Sequence, residues 1–578
     1  MQFDDFYKNL GSFGRYQKTK YFLICLTYML PPIMVYTWSF TAAKPNFRCR
    51  TPMDNAPGVS PTDDGIRRYA PSESQCRQYQ SKISVVECQR CYQLTNESDY
   101  DITQMKPCTS FIFDRTYHQS TLVEEWYMVC GRVSLRSYVQ TVFFFGYMVG
   151  SLVFGVLSDK FGRRPIMGVS FIVITLASLM CALVPHPKLG FEISYSVFVL
   201  GRFLLACGTR GVALTGFVIG SEIVGPKQRL FTGIVIEYFF AGGELVLLGF
   251  AYFMRSWRQL NTTLAILSIP FLFFYFVLPE SPRWLLSKGH YEHAERILRR
   301  IAKTNDTQFD SIAYEHLILA EKKREALHPK KVHGLKHLLQ SKIMIIIAIN
   351  MSFQWFVQNL VFYGVSQNTG EWLPNPYVSF FAGALIEIVA YCVVHLVLDR
   401  FGRKLTYGGF VLFFGLVAFL VVPIQMLLTT DSQVQRTLMF ILNVALKFLA
   451  SGSYAIIYIY ANELFPTQAR NTGMGICSMF ARFGAILATF SNDLLVRAWI
   501  HFPIIVYGTM SLIAVAFATI CPETANRPLP QTIYDIDRMG LTLPCRKSKP
   551  LTCDDMNGMT DSDEDMALKH QLNENDIF

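Results

Sequence analysis

Asp159-Lys-Phe-Gly-Arg-Arg164 and, 240 residues later, Asp399-Arg-Phe-Gly-Arg-Lys404 decide how this chain folds. Each run sits between two apolar stretches of helical length. Gly162 and Gly402 allow a tight turn, Asp159 and Asp399 can pair with arginine or cap a helix, and Arg163, Arg164, Arg403 and Lys404 are basic. Two further landmarks recur: Glu222-x6-Arg229 returns as Glu463-x6-Arg470 at an offset of 241, and Pro279-Glu280-Ser281 returns as Pro522-Glu523-Thr524 at 243. Landmarks held at nearly one offset mean two halves of the same orientation, the parallel-repeat plan of secondary transporters. These motifs, with Arg283 beside Glu280, read as gate and hinge hardware rather than as substrate ligands.

Outward from the motifs, the chain is very apolar. Of 578 residues 51% are apolar and 17% charged, with 47 Phe and 28 Tyr, mean hydropathy +0.27 and a net charge of +10. That composition excludes disordered and collagen-like classes and strains any soluble reading. Apolar runs of about twenty residues, enough for a helix to cross about 30 Å of hydrocarbon, occur twelve times. They span roughly 21–43, 137–158, 165–184, 194–222, 230–253, 262–279, 342–364, 377–398, 405–422, 436–461, 471–492 and 500–521. The expected fold is an all-α polytopic membrane protein, twelve transmembrane helices in two six-helix pseudo-repeats. The first run is expected to stay as a helix rather than be cleaved, because Asp4 and Asp5 precede it and no small-residue cleavage site follows.

Lys and Arg in short loops set orientation. Lys8, Arg15, Lys18 and Lys20 lie in the leader, and the two motif loops are basic, whereas 366–375 and 423–435 hold neither Lys nor Arg. Both termini are therefore expected in the cytoplasm. The organisation reads as a cytoplasmic N-terminus 1–20, span one 21–43, an extracellular cysteine-rich loop 44–136, spans two to six 137–279, a cytoplasmic loop 280–341, spans seven to twelve 342–521 and a cytoplasmic tail 522–578. The basic residues are scattered through loops, which argues against a nucleic-acid partner. Cys49, Cys76, Cys88, Cys91, Cys108 and Cys130 in the first insert form a disulfide framework with fifteen conceivable connectivities. Cys88-x-x-Cys91 lacks the second ligand pair a metal site needs, so no metal is expected. Asn96-Glu-Ser98 is a glycosylation acceptor, consistent with an outside location.

The residues then carry a resemblance. The doubled loop from Gly155 to Arg164 and Asp399 to Lys404, the Pro279–Leu285 run, the Phe13–Gln17 leader, the Asn462–Thr467 run and the cysteine-rich loop after the first span resemble the organic ion transporters of solute carrier family 22. The resemblance implies the major facilitator fold and plasma-membrane placement, and covers nearly the whole chain apart from the last fifty residues. Sugar porters share the loop and PESPR motifs but lack the ninety-residue extracellular insert.

Charge inside the spans points to the site. Arg202 and Arg210 fall in span four, Glu237 and Glu244 in span five, Glu387 in span eight, Lys447 in span ten and Arg482 in span eleven. Near the midplane each costs roughly 2.5–3.5 kcal/mol unless paired or hydrated, so they should face a shared polar interior. Arg202 and Glu244 read as structural members. In the family the resemblance implies, the cavity is lined from spans one, four, five, seven, eight, ten and eleven, where Tyr36, Arg210, Glu237, Trp355, Phe362, Tyr363, Glu387, Lys447 and Arg482 are the matching candidates. Rings such as Tyr36, Trp355, Phe362 and Tyr363 suit a cationic ammonium. Family cation transporters typically carry Asp where Arg482 stands, and anion members often carry Lys near Glu387. An arginine with acids and rings could hold both ends of a zwitterion such as carnitine, so the expected substrate is a small organic cation or zwitterion, with an organic anion as the rival.

No catalysis and no cofactor are expected: the chain lacks a Walker-type run and any clear catalytic triad. A monovalent cation gains about 2.3 kcal/mol crossing 100 mV, whereas a zwitterion gains nothing and needs Na⁺ or H⁺ coupling to accumulate. A channel or a non-transporting receptor would share the spans but not saturable uptake. Tyr291–Ala302 and Ile312–Ala326 in the second insert read as short amphipathic helices beneath the pore. Ser562 sits in an acidic run, and Asp576-Ile-Phe578 has the form of a terminus for a carboxylate-capturing, PDZ-type partner.

Overall fold

The computed structural model describes residues 3–11, 13–50, 76, 85–94, 105–185, 188, 190–225, 228–327, 341–427, 433–466, 470–496, 499–525, 530, 536, 539 and 541. Asn96, Ser562 and 576–578 lie outside the described residues, as do the side chains of Arg229 and Arg470.

The first half holds α1 (Arg15–Thr41), α2 (Val133–Phe161), α3 (Arg163–Ala182), α4 (Phe191–Ile223), α5 (Arg229–Phe253) and α6 (Trp257–Val277). The second holds α7 (Lys342–Ser366), α8 (Pro376–Phe401), α9 (Arg403–Leu427), α10 (Gln433–Leu464), α11 (Arg470–Phe490) and α12 (Phe502–Ala518). Among the described residues eleven helices are long and apolar enough to cross a membrane, and α12 is a shorter apolar one of 17 residues. Several helices outrun the hydropathy-based spans, because helices continue past the hydrocarbon. Arg136 is one consequence: it belongs to α2 rather than to the insert. Pro31 and Pro32 divide α1 at Met29, since neither ring nitrogen can donate to the preceding turn.

The two halves repeat one packing. In the first, α4 lies against α2 and α3; in the second, α10 lies against α8 and α9. Across the halves α2 meets α11 and α5 meets α8, so these four helices enclose the centre. The distribution of polarity is inverted relative to a water-soluble protein. Phe253 is 79% exposed and Leu427 82%, while Glu387 and Arg482 are buried. Apolar side chains face outward where lipid would lie, and costly charges face in.

The cysteine-rich insert carries β1 (Phe47–Cys49), β2 (Tyr92–Leu94), β3 (Met105–Pro107) and β4 (Phe111–Phe113), paired β1 with β4 and β2 with β3, both antiparallel. Disulfides join Cys49 to Cys108, Cys76 to Cys88 and Cys91 to Cys130, a choice the spacing alone left open. Trp126 anchors the insert on α6 beside Trp257, whose Nε1 donates to Glu125 Oε2 at 2.8 Å. At the opposite end, helices Pro282–Ser287, Tyr291–Thr304 and Ser311–Leu327 form a cap with the N-terminal helix Phe3–Asn9. The Tyr7 hydroxyl in that helix donates to Ile223 O at 2.5 Å, fastening the cap to the end of α4.

Candidate functional site

At the end that carries the repeated motifs, Gly162 and Gly402 have φ of 108° and 84°, the left-handed region that favours glycine. The sharp turn brings in a carboxylate from the far end of each half. Glu280 accepts the backbone N–H groups of Arg163 and Arg164, both at 3.1 Å, and Glu523 accepts those of Arg403 and Lys404 at 2.9 and 3.0 Å. A carboxylate on the first N–H groups of α3 and of α9 complements the helix dipole. The sequence reading left Asp159 and Asp399 free to cap or to pair. They pair, with Arg163 at 3.0 Å and Arg403 at 3.2 Å. The same arginines reach the ends of α4 and α10: Arg163 lies 3.7 Å from Glu222, and Arg403 Nε meets both oxygens of Glu463 at 3.1 and 3.3 Å. Arg283 stacks its guanidinium 4.8 Å from the Phe3 ring. Every one of these ion pairs stays within one half.

The centre holds the costly charges. Lys447 Nζ and Glu387 Oε2 pair at 2.6 Å with side-chain exposures of 1% and 0%. Lys447 also donates to Ser366 Oγ at 2.6 Å, and its ammonium lies 4.6 Å from the Phe362 ring and 5.9 Å from that of Tyr36. The other oxygen of Glu387 accepts the Tyr391 hydroxyl at 2.6 Å. This cluster is paired and hydrogen-bonded, the condition under which a buried ion pair survives.

Arg482 stands differently. It is fully buried, and its Nε and Nη1 have no hydrogen-bond partner among the described residues. The Tyr147 ring lies 5.1 Å from its guanidinium carbon, and the phenols of Tyr363, Tyr454 and Tyr458 lie within electrostatic range. Among the described carboxylates none pairs with it. A continuous ladder of rings joins it to the lysine: Phe362 packs on Tyr363 at 5.4 Å and on Tyr454 at 4.6 Å, Tyr363 on Phe144 at 4.8 Å, and Tyr458 on Trp355 at 4.3 Å.

The remaining candidates fall around this ladder. Arg210 on α4 donates to Ser151 Oγ of α2 at 2.8 Å and to Ser478 Oγ of α11 at 3.2 Å, tying the halves together. Glu237 is half-buried on α5, in electrostatic range of Tyr28 and Glu387. Arg202, outside the ladder, donates to Gln140 and stacks 4.3 Å from Phe143. Tyr147, Tyr454, Tyr458, Tyr391 and Ser366 were missed by sequence reasoning. Tyr454 and Tyr458 are four apart, and so are Glu387 and Tyr391; in a chain with 28 tyrosines that spacing alone selects nothing.

At the insert end a third cluster joins the halves. Asp493, in a π-helical turn (Ser491–Leu495) after α11, receives Arg136 Nη1 at 2.5 Å, Lys44 Nζ at 3.0 Å and Ser137 Oγ at 3.0 Å. Lys44 also reaches Glu371 at 3.6 Å. The eleventh hydropathy-based span ends at 492, one residue short of this aspartate.

Comparison with known proteins accords with this architecture. The family described as "Sugar (and other) transporter" matches residues 83–535. "Organic cation transporter protein" of Drosophila melanogaster is 33% identical over 93% of this chain and 95% of its own length. "Organic anion transporter 3" of Mus musculus is 30% identical over 93% and 94%. Among solved structures, the proton:xylose symporter XylE bound to 6-bromo-6-deoxy-D-glucose superposes with a TM-score of 0.58 at 17% identity, covering 89% of this chain and 98% of that one. A partially occluded inward-open form of XylE from E. coli gives 0.54 at 16%, covering 86% and 98%. At such identities these two show the shared fold alone. The two halves, their doubled motifs and the relatives together make this chain a member of the solute carrier family 22 organic ion transporters, membrane transporters of the major facilitator superfamily and not enzymes.

Proposed function

We propose that this protein is a plasma-membrane secondary transporter of small organic cations or zwitterions, of the quaternary ammonium or carnitine-like kind, with the cysteine-rich insert outside and both termini in the cytosol. The observation that carries the reading is the contrast at the centre. Arg482, a guanidinium that no described carboxylate pairs, is wrapped in tyrosine rings, and the Glu237 and Glu387 carboxylates lie in the same aromatic interior. A zwitterion satisfies both: its carboxylate takes the bidentate fork of Arg482, and its ammonium lies against Phe362, Tyr36 or Trp355 near the acids. The aromatic lining and the acids also fit a simple cation. Transport proceeds by rocking of the halves about this centre, the motif networks holding each half rigid.

A pure organic anion is the second reading, favoured by the same unpaired Arg482. Uptake of labelled carnitine, tetraethylammonium and an aromatic anion into expressing cells, with and without Na⁺, separates the two. Entry of carnitine or tetraethylammonium is expected, and loss of carnitine uptake in Arg482→Asp. Uptake of the anion alone would overturn the reading, and unchanged carnitine uptake in the variant would remove Arg482 from the site.

A further inference from the structure

Two carboxylates at the centre lie within electrostatic range of one ammonium. Glu387 holds Lys447, whereas Glu244, 3% exposed on α5, forms no ion pair among the described residues, and its Oε1 has no hydrogen-bond partner among them. The groups within electrostatic range of it are Glu387 and Tyr391 from α8, Lys447 from α10 and Tyr36 from α1. Lys447 is already committed to Glu387, to Ser366 and to the Phe362 ring. Arg210 of α4 is engaged by two serines, Arg482 of α11 by tyrosine rings, and Glu237, seven residues back on α5, is itself an acid and offers no counter-charge. Tyr28 of α1 lies within electrostatic range of Glu237, and Arg258 of α6 pairs with Glu125 at the insert. An ionised carboxylate left alone in such surroundings costs several kcal/mol, and a proton removes that cost. A metal cation would have to displace or tolerate the adjacent ammonium of Lys447.

We propose that Glu244 is a proton-binding site, protonated in the state seen here, and that its release and recapture of H⁺ couple proton movement to that of the organic ion. The step is Glu244–CO₂H to Glu244–CO₂⁻ and H⁺, the proton passing to water when the halves open. An organic cation arriving beside Glu387 favours the ionised form, so cation and proton exchange in opposite directions. This rests on the transporter reading above.

The test uses the full-length protein in proteoliposomes, with two independent readouts. Infrared spectra report the C=O stretch of a buried carboxylic acid at neutral pH whether or not any substrate is known. That band is expected in the wild type, lost in Glu244→Gln and retained in Glu244→Asp; a Glu244→Gln spectrum identical to the wild type overturns the proposal. Tetraethylammonium uptake driven by an acid interior is expected to rise several-fold over uptake at equal pH in the wild type. In Glu244→Gln that rise disappears while exchange of labelled for unlabelled tetraethylammonium persists. Gradient-driven uptake surviving in Glu244→Gln overturns the coupling. If no tetraethylammonium enters under any condition, the cation reading fails and the infrared result still decides the protonation of Glu244. Glu244→Asp guards against a folding defect, because it keeps the acid.

Discussion

The two ends of the bundle are tied in opposite ways. At the motif end the ion pairs of Arg163 and Arg403 run within one half, to Asp159 and Glu222 or to Asp399 and Glu463. At the insert end they run between halves, from Arg136 and Lys44 to Asp493 and from Lys44 to Glu371. Tyr377 of α8 adds to this, donating its hydroxyl to Tyr117 O at 3.0 Å and packing on Phe40 and Tyr252 at 5.9 and 5.6 Å. The lesson is mechanical. Networks within a half keep it rigid through the cycle, whereas contacts between halves exist in one state and must break in the other.

Breaking Asp493 should therefore have the largest effect. Asp493→Asn leaves the Arg136 guanidinium, 11% exposed, without its carboxylate, a loss of about 3–5 kcal/mol for a buried pair. Only the state closed at the insert end bears that loss, so the equilibrium should move toward opening there by more than tenfold. Amide hydrogen exchange at the end of α1 and the start of α2 measures it, and unchanged exchange would contradict the between-half lock. Lys44, more than a third exposed, should matter far less: Lys44→Met is expected to shift the same equilibrium by under about 1 kcal/mol.

The motif end should respond in stability rather than in state. Glu280→Gln and Glu523→Gln each remove a charged acceptor from two helix-start N–H groups, a loss of about 1.5–3 kcal/mol, read as a lowered thermal midpoint in detergent. The halves should then separate on arginine. Arg403→Lys forfeits two contacts to Glu463, whereas Arg163→Lys forfeits one at 3.7 Å, so the second half should lose more. Equal losses would mean that the closer geometry of the second half contributes nothing.

Much of this was legible because some positions admit few alternatives. A doubled Asp-basic-Phe-Gly-basic-basic turn announces its own repeat, and charges such as Glu387, Lys447 and Arg482 in apolar spans must face inward. Which charges pair was not legible. Sequence spacing holds α5, α8 and α10 at no fixed distance, so nothing distinguished a lysine paired with Glu387 from an arginine that no described carboxylate pairs. Glu244 read as structural beside Glu237 on one helix face, yet it emerged as the acid left over. Asp493 was hidden by a boundary: hydropathy ends a span where polarity begins, and the lock sits on that edge. The disulfide partners were hidden because connectivity depends on β1 meeting β4, two strands about sixty residues apart in sequence whose pairing no spacing rule fixes.

The smallest expected effect concerns acid at the insert end. His118 follows Tyr117, whose carbonyl holds Tyr377, and its ring lies 6.0 Å from the Tyr377 ring. Burial first, and the Arg255 charge second, lower its pKa below the ordinary 6.5. The docked form therefore resists a proton that the released form accepts. The sign follows: the tether is at full strength above about pH 6.5, where both forms are neutral, and weakens as pH falls below that value. His118 is only half-buried, so solvent screens much of the effect, which should be smaller than that of Asp493→Asn. Hydrogen exchange around 117–120, corrected for intrinsic rates, should be faster at pH 5.5 than at pH 7.5 in the wild type, and the difference should vanish in His118→Gln. If the glutamine variant loosens in acid as the wild type does, the sensitivity belongs to another group, and the tether carries no pH response of its own.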